Sequence, residues 1–130
     1  MQVRTMKALF ALAILAALPA SAQTYMFNRA DYATGTGPET LAIGDFNGDG
    51  VKDVVVGNTN SPAHTVSVLL GKPDGTFEPN VDYAAGGAPS GVAVGDFNGD
   101  SKLDIVVVSG FENATVTVLR PSNWRCSTPA

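Results

Sequence analysis

Apolar and polar positions along this chain change in short runs, and the runs have the period of strands. Thr40 to Ile43 is a short apolar stretch that leads into a Gly- and Asp-rich loop. Val54-Val55-Val56 follows that loop, and its β-branched side chains favour a buried strand. Asn58 to His64 is rich in Asn, Ser and Pro and reads as a connection. Thr65 to Leu70 alternates polar with apolar, as a strand with one covered face does. Gly71-Lys72-Pro73-Asp74-Gly75 supplies a turn, since Pro fixes φ and Asp-Gly reverses the chain. Thr76 to Tyr83 is predicted as a fourth strand, and Pro79 within it places that strand at an outer edge. No window carries the spacing of an amphipathic helix.

The whole pattern then repeats. Asp31-Tyr32-Ala33 returns as Asp82-Tyr83-Ala84, Pro38 as Pro89, and the loop after Gly44 as the loop after Gly95, at an offset of 51 residues. The offset slips to 50 where Thr65 to Leu69 matches Thr115 to Leu119, which one deletion in the intervening connection explains. Four short strands per unit, repeated, predict an all-β fold of β-propeller-type blades, each of about four antiparallel strands. Only two repeats are present, about residues 25–75 and 76–120 within a segment spanning 23–120, so the propeller is partial. The second unit has no recognisable fourth strand, and 121–130 forms an unmatched tail. Met26 to Tyr32 aligns with a fourth strand and is expected to start the sheet as a stray outer strand. Phe46 and Phe97 are expected to anchor packing between blades, and Tyr32 and Tyr83 to pack rather than recognise. Two blades leave an apolar flank exposed. Copies of the chain that self-associate would close a ring.

Residues 1–22 stand apart. Arg4 and Lys7 precede the apolar run Ala8 to Leu18, and Ala20-Ser21-Ala22 is a small-residue cleavage site. This is the pattern of a secretory signal peptide. The run is too short for a membrane span, which needs roughly 20 apolar residues. The expected location is secreted, extracellular or periplasmic, with no membrane span after cleavage. Loss of Arg4 and Lys7 would take the formal charge from −4 to −6. Half of the twelve acidic residues are Asp residues of the two loops, so the acidity is concentrated there. No basic stripe points to nucleic acid. Cys126 is the single cysteine, so no internal disulfide can staple the domain.

The loops carry the candidate chemistry. In Asp45-Phe46-Asn47-Gly48-Asp49-Gly50-Val51-Lys52-Asp53, oxygen-bearing side chains occupy positions one, three, five and nine, and Val51 at seven offers its carbonyl. Ca²⁺ takes six to eight oxygens at about 2.3–2.6 Å, and a loop that points alternate residues inward supplies them. Gly50 permits the left-handed turn that closes such a loop. The second loop has Ser101 there, which makes it the poorer match. The plainer alternative is a pair of polar turns between strands with solvated carboxylates. Helical calcium loops need Glu at position twelve, where this chain has Val56 and Val107 in β-branched runs.

Taken together, Leu41-Ala42-Ile43-Gly44-Asp45-Phe46-Asn47-Gly48-Asp49, then Asp53-Val54-Val55-Val56, Thr65-Val66-Ser67-Val68-Leu69 and Gly71-Lys72-Pro73-Asp74-Gly75-Thr76-Phe77, resemble the FG-GAP/VCBS repeat. That repeat builds β-propellers like the head of integrin α subunits. By position, the resemblance implies Ca²⁺ ligands at Asp45, Asn47, Asp49, Val51 (carbonyl) and Asp53. In the second copy it implies Asp96, Asn98, Asp100, Lys102 (carbonyl) and Asp104. Two Ca²⁺ sites are expected, with a structural role.

No catalytic set emerges. His64 is the single histidine and is expected to be an exposed loop residue, Ser90 and Ser109 lack a nucleophile turn, and no helix follows Gly86-Gly87 to cradle a phosphate. Trp124 is expected to be a tail residue, and Asn113-Ala114-Thr115 is a glycosylation sequon. The expected function is a secreted, non-enzymatic calcium-binding repeat module for cell adhesion or for binding an extracellular protein or glycan. The competing expectation is a fragment or accessory part of a larger secreted enzyme that carries such repeats.

Overall fold

The computed structural model describes residues 27–60, 62, 64–110 and 114–121. The leader, the Asn113 sequon position, Trp124 and Cys126 lie outside the described residues. Seven strands follow in chain order: β1 (Pro38–Gly44), β2 (Asp53–Asn58), β3 (Thr65–Leu69), β4 (Val81–Ala84), β5 (Pro89–Gly95), β6 (Asp104–Ser109) and β7 (Thr115–Leu119). They form two antiparallel meanders, a four-stranded sheet ordered β1-β2-β3-β4 and a three-stranded sheet ordered β5-β6-β7. The fold is all-β, and the sheets are two blades of an unclosed propeller. Among the described residues no helix is long and apolar enough to cross a membrane.

Register follows the repeat. Ile43 pairs with Val54 and Val55 with Val68 in the first sheet. Val94 pairs with Ile105 and Val106 with Val118 in the second. Each sheet therefore has one face built from Ala42, Val55, Val66 and Val68, or their equivalents, and an opposite face built from Leu41, Ile43, Val54, Val56 and Leu69, or theirs. One core forms where the first kind of face on sheet one meets the second kind on sheet two. It holds Phe46, Val55, Val66, Val68, Ala85, Ile105 and Val107, with Val92, Val94 and Leu119 packed at its border. β1 and β2 both lie against β5. The approach is close at Gly57, where a Cβ would stand 2.6 Å from Thr40 Cγ2 and 3.0 Å from Pro89 Cβ.

Four expectations are corrected. The fourth strand is only Val81–Ala84, and from Thr76 to Asn80 pairing is limited to an isolated bridge between Gly71 and Phe77. The cause is the Lys72–Thr76 turn, closed by Lys72 N–H on the Thr76 carbonyl (2.8 Å) and Gly75 N–H on the Lys72 carbonyl (2.9 Å), followed by Pro79, which has no N–H for a ladder. Residues 27–34 form no strand, and Met26 lies outside the described residues. Phe97 is not an inter-blade anchor. Phe46 is 2% exposed and Phe97 is 59% exposed, because sheet two covers Phe46 and among the described residues nothing covers Phe97. His64 is half-buried rather than exposed, with φ 41° and its carbonyl taking the Ala85 N–H at 2.8 Å.

Candidate metal centre

Each loop joins the inner strand of a sheet to its neighbour, β1 to β2 and β5 to β6. Glycine opens the required backbone: φ is 75° at Gly48 and 85° at Gly50. Ser101 adopts φ 65° at the Gly50 position, so the second loop keeps the same path with a side chain in the left-handed region. That conformation costs an L-residue roughly 1–2 kcal/mol.

Inside the first loop the carboxylates gather the loop's own amides. Asp45 Oδ1 accepts from Gly48 N–H (2.7 Å) and Asp49 N–H (3.1 Å), and Asp45 Oδ2 accepts from Gly50 N–H (2.9 Å). Asn47 Oδ1 accepts from Asp49 N–H (2.9 Å), and Asn47 Nδ2 donates to Asp49 Oδ2 (2.8 Å). Asp49 Oδ1 accepts from Val51 N–H at 2.8 Å. The second loop repeats every bond. Asp96 takes the N–H groups of Gly99, Asp100 and Ser101, Asn98 bridges to Asp100, and Asp100 takes the N–H of Lys102. These bonds favour the charged carboxylate. Asp96 accordingly lies below the ordinary aspartate range, chiefly through the Ser101 N–H.

The ninth position behaves differently. Asp53 is fully buried, with Oδ2 taking the Phe46 N–H (2.7 Å) and Oδ1 taking the Gly71 N–H (2.8 Å). It ties the loop entrance to the end of β3. Burial pushes its pKa up, the two N–H donors oppose that, and the negative charges of Asp49 and Asp45 add to the rise. Asp104 is also fully buried, but its Oδ2 meets the Phe97 N–H only at 3.3 Å and its Oδ1 has no partner among the described residues. The repeat explains the difference. Gly71 aligns with Pro121 at the 50-residue offset, and proline has no N–H to give.

The structure places Asp45, Asn47 and Asp49, and Asp96, Asn98 and Asp100, on two surface loops, with Asp53 and Asp104 buried at the first positions of β2 and β6. Their donor set is all oxygen, the chemistry of a hard cation such as Ca²⁺ and not of Zn²⁺. As the side chains stand they hold amides. Among the described residues no group of three or more His, Cys, Asp or Glu side chains forms a metal cage. Sequence reasoning missed the amide partner of the ninth position. The Gly71/Pro121 alignment was the available signal.

Two unclosed antiparallel blades, each with an acidic Gly-rich loop between its first two strands, define a repeat-built, propeller-type protein. Residues 45–107 match the profile of the FG-GAP-like repeat, and that segment of the chain belongs to this repeat family. Repeats of this kind are typically found in extracellular proteins. No curated protein and no solved structure matches the chain.

Proposed function

We propose that this chain is a secreted, non-enzymatic calcium-binding repeat module that serves adhesion or the binding of an extracellular protein or glycan, with the metal in a structural role. The observation that carries the reading is the loop pair itself. Asp, Asn and Asp stand at alternate positions of one surface turn, twice, with only oxygen to offer a cation. In the first loop Asp45, Asn47, Asp49, the Val51 carbonyl and Asp53 would hold the ion, and in the second Asp96, Asn98, Asp100, the Lys102 carbonyl and Asp104. A carboxylate accepts about four hydrogen bonds, so Asp49, which takes two, retains lone pairs for a metal. A bound cation would also offset the repulsion that Asp45 and Asp49 exert on buried Asp53. Export is supported by the leader pattern of residues 1–22 and by the usual setting of the repeat. The non-enzymatic reading is supported by the carboxylates' engagement with their own loops.

Calorimetric titration of chelator-treated protein with CaCl₂ tests this. Two sites are expected, with Kd on the order of 10⁻⁴–10⁻³ M as in extracellular calcium modules. Asp49→Ala should remove the first and Asp100→Ala the second. Heats equal to those of dilution alone, in protein of native fold, reject the proposal.

A further inference from the structure

The two open sheet faces form a matched pair. The covered face of sheet one consists of Ala42, Phe46, Val55, Val66 and Val68. The equivalent face of sheet two includes Ala93, Phe97, Val106, Val116 and Val118, the same residue types at these five positions. Val66 is 0% exposed and Val116 66%, and Val68 is 2% exposed and Val118 42%. The open face therefore has the composition of a face already buried inside the molecule. Inside the molecule, that face is covered by Val92, Val94, Ile105, Val107 and Leu119 of sheet two. The equivalents of those residues are Leu41, Ile43, Val54, Val56 and Leu69 on the far side of sheet one. There Leu41 and Ile43 are 60% and 56% exposed, Val54 and Val56 are half-buried, and Leu69 is buried, so the open part of this face lies along β1.

The edges match as well. Among the described residues sheet two ends at β7, where sheet one continues to β4. Ala30 to Ala33, which contains the Asp-Tyr-Ala of β4, belongs to no strand. Its continuation already lies over sheet one as the continuation of β4 lies over sheet two. Gly35 N–H bonds Ser67 Oγ (3.0 Å), and the Ala85 carbonyl accepts from Thr117 Oγ1 (3.1 Å), with Ser67 and Thr117 equivalent. A Cβ on Gly35 would meet Asn58 and Thr65, and one on Gly86 would meet Thr117 and Thr115.

We propose that the open face and open edge of sheet two take a second copy of this chain, head to tail. Its Leu41/Ile43 face covers Phe97, Val116 and Val118, and its residues 30–33 add a fourth strand to β7. From the pairing of Thr65 with Ala84 and Val66 with Tyr83, the register is Thr115 to the neighbour's Ala33 and Val116 to the neighbour's Tyr32. Two differences from the internal interface are accommodated. The pair Thr40–Gly57 becomes Gly91–Val108, which moves bulk across one cross-strand pair. Lys52 stands where Leu103 does, and its alkyl stem can cover apolar surface. The contact joins unlike patches, so it propagates until a ring closes. It does not depend on whether the loops bind calcium.

The test is the mass of the purified full chain by light scattering and native mass spectrometry, compared with Val116→Glu and Leu41→Glu. Both residues are more than half exposed, so both variants keep the wild-type circular dichroism. Wild type is expected at the mass of two or more chains, with slowed amide exchange across Thr115–Leu119. Each variant alone is expected to be monomeric. An equimolar mixture of the two should give a two-chain species and nothing larger, because one good face of each remains. A monomeric wild type at every concentration tested overturns the proposal. So does a Leu41→Glu chain that dimerises alone, since that marks a like-to-like contact, and so do variants that leave the mass unchanged.

Discussion

Replacing Asp53 with Asn separates the two loops more sharply than any other single change. Asp53 gives one oxygen to the Phe46 N–H and the other to the Gly71 N–H, with no exposed surface. Asn keeps one acceptor and turns an NH₂ toward the remaining donor. One hydrogen bond to a charged group is lost and a buried N–H is left unmatched, a cost of roughly 1.5–3 kcal/mol. At about 4–8 °C per kcal/mol for a domain of this size, melting should fall by roughly 6–24 °C. Asp104→Asn places its NH₂ where Asp104 Oδ1 has no partner among the described residues, and the repeat equivalent of the Gly71 donor is Pro121. No hydrogen bond of the described residues is lost there, so the change should cost less than the one at Asp53. The assay is urea unfolding followed by circular dichroism in excess chelator, so that metal affinity does not enter. Equal losses for the two variants, or a larger loss at Asp104, would refute the reasoning.

Pro121→Ala gives residue 121 the N–H that Gly71 has at the equivalent position of the first repeat, and a hydrogen bond from it to Asp104 worth roughly 1 kcal/mol or more should offset the roughly 0.4–1 kcal/mol lost with proline's rigidity. Its unfolding midpoint should rise in wild type but not in the Asp104→Ala background. Ser101→Gly should stabilise by roughly 1 kcal/mol in chemical denaturation, since φ 65° suits glycine, whereas Gly50→Ser should destabilise by a similar amount. Asp74, whose carboxyl is held low chiefly by the Thr76 hydroxyl and then by the Thr76 N–H, contributes stability present above the ordinary aspartate pKa of about 3.9 and lost as pH falls through its lower folded value. Thr76→Ala should therefore reduce stability at neutral pH and flatten the acid limb of the pH–stability curve. An acid limb of unchanged slope would count against this.

The blades were legible in the sequence because strand period, turn residues and a 51-residue repeat agree with one another. Val54–Val56 and Thr65–Leu69 fall in strands because each local preference matches a place in the sheet. Phe97 was misjudged because burial belongs to what stands opposite a residue. Phe46 and Phe97 are the same residue in the same local motif, and only one faces another blade. The strand expected over Thr76 to Tyr83 shrank because the Lys72–Thr76 turn and Pro79 use up the residues that would have paired. At the loops, alternation of Asp and Asn marked side chains that fold back onto their own loop's amides. It did not reveal that the ninth-position Asp fastens β3, because that bond is to a backbone amide eighteen positions away.

The proposed role of the loops stands or falls on the melting temperature of the purified protein in millimolar Ca²⁺ against the same protein in EDTA. With Kd near 10⁻⁴ M each filled site adds roughly 1.4 kcal/mol. Two sites should then raise the midpoint by roughly 10–20 °C, and Asp49→Ala should remove part of that rise. Superimposable melts with and without calcium would contradict it and leave the loops as turns closed by their own amides.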